Sequence, residues 1–118
     1  MEISQIETLL NSSDSQERLK AITELRSYDS EIAVPLLLNR LQDPEFLVRS
    51  FVAMGLGRKQ SEESYAALLK LMQFDRDPNV RAEAANSLSM YGEEAVLHLV
   101  KTFQQDQHWL VRRSILAV

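Results

Sequence analysis

The sequence predicts an all-α protein, a right-handed α-solenoid in which helix pairs are stacked in tandem. Composition is the first reason: glycine and proline together supply 6 of 118 residues, too few for a turn-rich β-sandwich or barrel. Leucine and alanine outnumber valine and isoleucine, which favours helix over strand. An internal repeat and helical spacing of apolar residues are the other reasons. We expect a single domain, 1–118, with a leading helix at 2–11, repeats at 14–42, 43–76 and 77–105, and a partial repeat at 106–118.

Four arginines mark the repeat and follow one another at intervals of about 31 residues: Arg18, Arg49, Arg81 and Arg112. An aspartate precedes each of them: Asp14, Asp43, Asp77 and Asp106. The gap from aspartate to arginine alternates between four and six residues, so we expect a lead-in loop of variable length before a first helix that stays in phase. The chain therefore contains four copies of one unit, the last of them incomplete.

Each copy begins with a first helix, expected at 15–27, 44–58, 78–91 and from 107 onward. Apolar residues recur at helical spacing in the third copy, as at Val80, Ala84 and Leu88. We expect the aspartates to cap these helices, with Pro44 and Pro78 at the first helical position in two of the copies.

A second helix follows the first in three copies, at 31–41, 62–74 and 94–105. Each carries four apolar residues at positions i, i+3, i+4 and i+7: Val34/Leu37/Leu38/Leu41, Tyr65/Leu68/Leu69/Met72 and Val96/Leu99/Val100/Phe103. Pro35 is expected in the first turn of its helix, where a missing N–H costs little. Because a pair with one apolar stripe per helix cannot bury itself alone, the pairs are expected to stack.

Two segments carry a family resemblance: Asp77-Pro-Asn-Val-Arg-Ala-Glu-Ala-Ala-Asn-Ser-Leu and Asp43-Pro-Glu-Phe-Leu-Val-Arg both resemble HEAT repeats. More narrowly, they resemble the short HEAT-like repeats of phycobilisome (phycocyanobilin) lyases, whose usual second-helix opening matches Ala33-Val-Pro-Leu-Leu-Leu. The resemblance covers about residues 14–118 and implies the fold. It implies little about function, since such repeats serve lyases, assembly factors, hydroxylases and scaffolds.

The regular acids and bases form what we call the structural ladder: Asp14, Arg18, Asp43, Arg49, Asp77, Arg81, Asp106 and Arg112. We interpret the ladder as ties between repeats, in which each guanidinium reaches a neighbouring loop while the aspartates cap helices. A row of anion-binding arginines is the alternative. Stacking is the better explanation, because it requires the same residue in every copy.

A second polar pattern follows the second helices, and we call it the polar strip: Asn39, Gln42, Lys70, Gln73, His98, Lys101 and Gln104. Its three glutamines share the period of the arginines. Second helices line the concave face in HEAT-type solenoids, so the resemblance implies that the polar strip lies on the inner surface. We expect the strip to bind a protein partner, because solenoids generally bind along extended concave surfaces. A merely solvated face is the alternative.

Composition also excludes several kinds of function. Without cysteine there can be no disulfide, thiolate nucleophile or cysteine-ligated metal. A net charge of −4 disfavours nucleic-acid binding, including that of DNA glycosylases built on HEAT-like repeats. No apolar run approaches the roughly 18 residues that span a bilayer, and the first residues lack the features of a signal peptide. We expect a cytoplasmic protein with no cofactor, nucleic-acid partner or membrane partner.

The two histidines, His98 and His108, do not form a metal site by pattern. A di-iron deoxyhypusine hydroxylase has similar helical repeats that carry His-Glu pairs, whereas here His98 precedes Leu99 and His108 precedes Trp109. Neither a metal site nor that hydroxylase function is therefore expected.

The function expected from the sequence is a non-enzymatic scaffold or assembly factor that holds a protein partner on the concave face. The alternative is a subunit or fragment of a bilin (phycocyanobilin) lyase, or a pigment chaperone, that acts on phycobiliproteins. The sequence shows no combination of nucleophile, base and oxyanion donors, which argues against an enzyme.

The fourth copy stops after its first helix, so no second helix covers its apolar residues: Leu110, Val111, Ile115, Leu116 and Val118. An exposed stacking surface promotes association. We expect either that the chain is the front part of a longer solenoid or that the last helix is buried in a self-association.

Overall fold

The protein is all-helical in its computed structural model, which describes residues 1–117. It has eight α-helices and, within that range, no β-strand: α1 Ile3–Leu10, α2 Ser15–Glu24, α3 Ser30–Leu38, α4 Phe46–Arg58, α5 Glu62–Phe74, α6 Pro78–Ser89, α7 Val96–Gln105 and α8 Trp109–Leu116. Short 3-10 turns cover Leu25–Ser27 and Gly92–Ala95. The all-α fold class is confirmed, while Val118, assigned above to the last apolar stripe, lies outside the described residues.

The helices stack as a solenoid of pairs, about 42 Å long and 25 by 18 Å across. The first helices of successive copies (α2, α4, α6 and α8) pack side by side, most extensively α4 on α6 and α6 on α8. Small residues permit this close approach: a Cβ atom added to Gly57 of α4 would lie 2.7 Å from the Cβ of Ser87 in α6. The contacts of α5 with α3 and α7 are sparser, so the first helices form the tighter layer.

The core is one continuous cluster along the stack. Each second helix contributes a leucine from the same position of its stripe, and all three are buried: Leu37, Leu68 and Leu99. The first helices add fully buried residues such as Leu56 and Leu88. Removing a side chain of this size from water contributes about 1.5–3 kcal/mol, so the periodic stripes account for much of the stability.

The leading helix α1 has the register of a second helix. Ile6 stands one repeat before Leu37 and is fully buried like it, and Leu10 stands one repeat before Leu41. Helix α1 packs against α2, as α5 packs against α6. The described chain therefore begins with a second-type helix and ends with a first-type helix, α8.

Three helices begin two residues later than the sequence predicted: α4, α7 and α8, with α7 beginning at Val96 after a 3-10 turn. Helix α4 has Glu45 as its N-cap, so Pro44 precedes the helix, and α8 has His108, whose Nδ1 accepts a hydrogen bond from the backbone N–H of Leu110 at 3.1 Å. Pro35 lies in the second turn of α3, inside the helix rather than in its first turn. None of the described helices is both long enough and apolar enough to cross a membrane.

Candidate functional site

Arg18 and Arg49 of the ladder each make paired bonds to one carboxylate, 25 and 26 residues further along the chain. In Arg18, Nε donates to Asp43 Oδ2 at 2.8 Å and Nη2 donates to Oδ1 at 3.1 Å. In Arg49, the same two nitrogens donate to Asp75 at 2.9 and 3.1 Å. Each Nη1 donates to the backbone carbonyl six residues back, Ser12 for Arg18 and Asp43 for Arg49, at 2.9 and 2.7 Å. One guanidinium thus joins two successive loops.

The last two arginines make fewer of these bonds. Arg81 Nε donates to Asp106 Oδ2 at 2.9 Å, and its Nη1 donates to the carbonyl of Asp75 at 2.9 Å. Arg112 Nη1 donates to the carbonyl of Phe103 at 2.9 Å, and its guanidinium carbon lies 4.2 Å from the centroid of the Phe103 ring. Within residues 1–117, no carboxylate pairs with Arg112.

The ladder aspartates occupy two different positions, which corrects the alternating gap inferred from the sequence. Asp43, Asp75 and Asp106 stand six residues before an arginine and accept the guanidinium bonds. Asp14 and Asp77 stand four residues before an arginine and cap α2 and α6 through the N–H groups two residues on. Asp77 is therefore not the acid that pairs with Arg49. A constant gap of six residues would have identified Asp75.

Local hydrogen bonds in the loops explain why some of the aspartates pair with an arginine and others cap a helix. The carboxylates of Asp43, Asp75 and Asp106 also accept the backbone N–H two residues ahead, at 2.9–3.0 Å. This turn aims each carboxylate back at the arginine of the preceding first helix, so Asp43 and Asp106 do not cap α4 and α8.

Asp43 is the most deeply buried of these acids, with 1% of its surface exposed. Burial acts to raise the pKa of its carboxyl group, but hydrogen bonds from Arg18 and the Glu45 N–H, with the charges of Arg18 and Arg40, outweigh it and leave the pKa below its usual range. The same pair raises the pKa of Arg18. These features make the first tie a charged, structural pair.

The polar strip is mostly on the surface. Asn39, Gln42, Lys70, Gln73, Lys101 and Gln104 are exposed, whereas His98 is half-buried, with its ring centroid 6.2 Å from that of Tyr65. Gln42 and Lys70 line one groove, and Gln73 and Lys101 line the next. The structure thus groups strip residues from neighbouring repeats, while their placement on a concave face and their binding of a partner stay predictions.

A cavity that the sequence did not predict lies between the second and third repeats. We call it the aromatic pocket; it is open to solvent, measures about 310 Å³ and is lined by Gln60, Ser61, Glu62, Tyr65, Tyr91 and Glu94. The two tyrosine rings are 5.2 Å apart and tilted by 55°. Aromatic faces and carboxylates together attract organic cations.

Hydrogen bonds hold both tyrosines of the pocket in place. The Tyr65 hydroxyl donates to the carbonyl of Glu94 at 3.0 Å, and the Tyr91 hydroxyl donates to the carbonyl of Leu56 at 2.9 Å. Burial, followed by the charge of Glu94, raises the pKa of Tyr65, so this phenol stays neutral. The sequence signal for this pocket is Tyr65, three positions after Glu62. The apolar stripe explained Tyr65 only as a core residue.

Comparison with known proteins identifies both the repeat and a set of enzymes. The family described as HEAT repeats matches residues 3–73 and 34–118. Deoxyhypusine hydroxylase-B of Oryza sativa subsp. japonica is 32% identical over 92% of this chain and 36% of its own length. Deoxyhypusine hydroxylases of Danio rerio and Schizosaccharomyces pombe are each 31% identical, over 83% and 82% of the chain and 32% and 31% of their own lengths. The chain spans about a third of the length of these relatives.

These relatives correct the functional predictions. The HEAT repeat is confirmed, but the narrower resemblance to phycobilisome lyases is wrong. The expected non-enzymatic scaffold and the bilin lyase alternative are both overturned, because the relatives carry the name of an enzyme, deoxyhypusine hydroxylase. The lack of His-Glu pairs, on which the prediction against a hydroxylase rested, does not exclude this relationship, which extends along most of the chain.

The residues present do not fit the di-iron centre that this resemblance implies. Within the described part of the chain, no group of three or more histidines, cysteines, aspartates or glutamates is placed to hold a metal ion. His108 Nδ1 is used in capping α8, and the half-buried His98 packs near Tyr65. We therefore assign no metal ligand to these residues.

Proposed function

This chain belongs to the HEAT-repeat family, and we propose that it binds the amine-bearing side chain of a protein substrate for a reaction of the deoxyhypusine hydroxylase type. One observation carries the proposal: the similarity to deoxyhypusine hydroxylase-B over 92% of the chain. Substrate binding is the part of such a reaction that the described residues are equipped to perform.

The aromatic pocket supplies the chemistry for binding. Deoxyhypusine is a lysine-derived side chain with a terminal amine, and alkylamines of this kind are protonated at neutral pH. Glu62 and Glu94 provide negative charge, and Tyr65 and Tyr91 provide aromatic faces for the ammonium ion and its methylene groups. A cation held over an aromatic ring gains about 0.5–2 kcal/mol, the larger value where water is excluded.

The oxidation step is not assigned to these residues. The hydroxylase reaction needs dioxygen that is activated at a metal centre, and the described residues do not form such a centre. Their part is to hold a charged side chain and orient it, which helps catalysis by positioning. The polar strip is the surface we assign to the rest of the substrate protein, and a cytoplasmic location is part of the same proposal.

Binding is tested with three synthetic peptides of one sequence that carry deoxyhypusine, lysine or acetyl-lysine, titrated into the whole chain by calorimetry. We expect the two charged peptides to bind more tightly than the acetylated one. Glu62→Gln combined with Glu94→Gln should weaken deoxyhypusine binding about tenfold, which corresponds to about 1.4 kcal/mol. Tyr65→Leu should act in the same direction, whereas Tyr65→Phe, which keeps the ring, should bind normally.

Glu31 provides a matched control. It lies one repeat before Glu62 in an open groove of about 330 Å³, where Val34 stands in the place of Tyr65. Glu31→Gln should leave peptide affinity unchanged. Equal affinity for the three peptides, or equal losses in the two glutamate variants, would refute binding at the aromatic pocket.

Mass spectrometry tests whether this chain binds the deoxyhypusine side chain without oxidising it. The chain is incubated with iron(II), a reductant, oxygen and the deoxyhypusine peptide. If the described residues bind the side chain without forming the metal centre, the peptide should gain no more oxygen than in the same mixture without the chain. Hydroxylation of the deoxyhypusine side chain above that background would show instead that this chain forms the metal centre.

A further inference from the structure

Phe74, the last residue of α5, is the most exposed aromatic side chain among residues 1–117, with 78% of its surface in contact with solvent. It stands directly before Asp75, the acid that pairs with Arg49. At the same position in the neighbouring copies, directly before the arginine-binding aspartate, stand Gln42 and Gln105. Stacking of the repeats therefore does not require an aromatic residue here, and an exposed ring of this size is typical of a contact surface.

Phe74 lines two open grooves, and we call the ring together with these grooves the aromatic ridge. The first groove, of about 430 Å³, lies between α5 and the loop after α3 and includes the apolar side chains of Leu41, Ala67 and Leu71. The second groove, of about 270 Å³, lies between α5 and α7. Packed helices lie about 8–10 Å apart, a distance that three residues of an extended chain span. A short extended segment that crosses α5 therefore contacts the ring and both grooves.

The exposed charges of the aromatic ridge are positive. Lys70 and Arg76 line the first groove, and Lys101 lines the second. All three side chains are exposed, and none of them forms an ion pair with a carboxylate in the part of the chain that the structure describes. The ridge is therefore a local exception in a chain whose net charge is −4.

The acids that line these grooves do not offset the three cations, because both acids are bound to arginines of the ladder. Asp75 pairs with Arg49, and Asp106 pairs with Arg81, each at 2.9 Å. The nearby Asp77 caps α6 and lines neither groove. Each ion pair is neutral as a whole, so the unpaired lysines and arginine set the sign of the local potential.

We propose that the aromatic ridge binds an acidic segment of a partner protein, with an apolar side chain packed against Phe74 and carboxylates beside Lys70, Arg76 and Lys101. A central aromatic contact supplies affinity, and complementary charges supply selectivity. Nucleic acid fits less well, because the apolar part of the ridge offers nothing to a phosphate backbone and the rest of the chain repels it. That the partner is the substrate protein rests on the proposed function, whereas the binding chemistry does not.

The test is calorimetric titration of the whole chain with three peptides that are acetylated and amidated at their ends. The first has two leucines between runs of three glutamates, the second has glutamines in place of the glutamates, and the third has serines in place of the leucines. None carries an amine, so none tests the aromatic pocket. The first peptide should bind about tenfold more tightly than either of the others, and less tightly at high salt. Equal affinities, or equally tight binding of an oligothymidylate of the same charge, would overturn the proposal.

Variants locate the binding surface. Phe74→Gln introduces the residue of the neighbouring copies and should weaken binding of the acidic leucine peptide about tenfold, with an unchanged helical circular-dichroism signal. Lys70→Gln should weaken it about threefold, whereas Lys20→Gln, an exposed lysine of α2 that lines neither groove, is the matched control and should bind normally.

A double variant separates this proposal from the proposed function. Glu62→Gln combined with Glu94→Gln should bind the acidic leucine peptide normally, because neither residue lines the grooves of the aromatic ridge. Binding of this peptide by a chain that ignores the deoxyhypusine peptide would support the ridge and refute the proposed function alone. Unchanged affinity in Phe74→Gln, or equal losses in Lys70→Gln and Lys20→Gln, would overturn binding at the ridge.

Discussion

The centre of the solenoid and its α8 end carry the same sequence motif in different surroundings. In the centre, α4 lies between α2 and α6, and the Arg49 and Asp75 side chains are 3% and 6% exposed. Nearer the end, the Arg81 and Asp106 side chains are 18% and 13% exposed. At the end itself, Arg112 has only the Phe103 carbonyl and ring among the described residues.

The contribution of a ladder arginine to stability therefore depends on how far the next repeat buries it and whether that repeat provides a carboxylate. A buried ion pair is costly to disrupt, because removing one partner leaves an uncompensated charge away from water. An exposed pair contributes little, because water and salt screen it. The four arginines should therefore contribute different amounts to the free energy of unfolding, although their spacing along the sequence is nearly uniform.

The largest effect is expected from Arg49→Ala, which leaves the Asp75 carboxylate buried and unpaired. We expect a loss of about 3–5 kcal/mol in the free energy of unfolding, measured by urea denaturation. Arg81→Ala should cost less, because its pair is more exposed, and Arg112→Ala should cost less than about 1 kcal/mol. Equal losses at the three positions would show that burial by neighbouring repeats does not set the strength of the ties.

A core truncation compares the same two regions. Leu88→Ala removes a fully buried side chain from α6 and should cost about 2–5 kcal/mol. Leu116→Ala on α8 is the control, because that side chain is 71% exposed, and it should change stability by less than about 0.5 kcal/mol. A loss under about 1 kcal/mol at Leu88 would mean that the assigned repeat register is wrong.

A smaller, pH-dependent effect is expected from Asp43. Its pKa is lower in the folded chain than the ordinary value of 3.8, so the folded state binds fewer protons than the unfolded state on the acid side. The stability that this group contributes is fully present above about pH 5 and is lost as the pH falls below about 4 through the folded pKa.

Asp43→Asn should remove that part of the acid sensitivity. The measurement is the free energy of unfolding of both proteins at several pH values between about 2.5 and 6. The two curves should converge toward low pH. A constant difference over the whole range would contradict a charged Asp43–Arg18 pair.

The smallest change in stability is expected in the polar strip. Lys70→Glu combined with Lys101→Glu alters two exposed side chains, so the helical circular-dichroism signal should be unchanged and stability should shift by less than about 0.5 kcal/mol. Affinity for a substrate protein should fall if the strip contacts it. Unchanged affinity for a bound protein would place the binding surface elsewhere.

The sequence by itself determined the all-α class, the repeat and most of the buried stripes, although Val96 and Val100 of the third stripe are about half exposed. Residues such as Leu37, Leu68 and Leu99 recur at a constant interval, and this period is a property of the chain that needs no knowledge of its neighbours. The side of a helix that is apolar must be buried, so the stripes also indicated which faces pack.

Only the tertiary structure decided which aspartate pairs with which arginine and which side chains form the aromatic pocket. Asp75 and Asp77 are equally acidic in the sequence, but only Asp75 lies in a turn that faces Arg49, 26 residues away. Tyr65 and Tyr91 belong to different repeats, and their rings meet because α5 packs against α6. The physical reason is the same in both cases: a local pattern specifies a helix and its buried face, whereas polar contacts between repeats depend on how distant loops and rings are brought together by stacking.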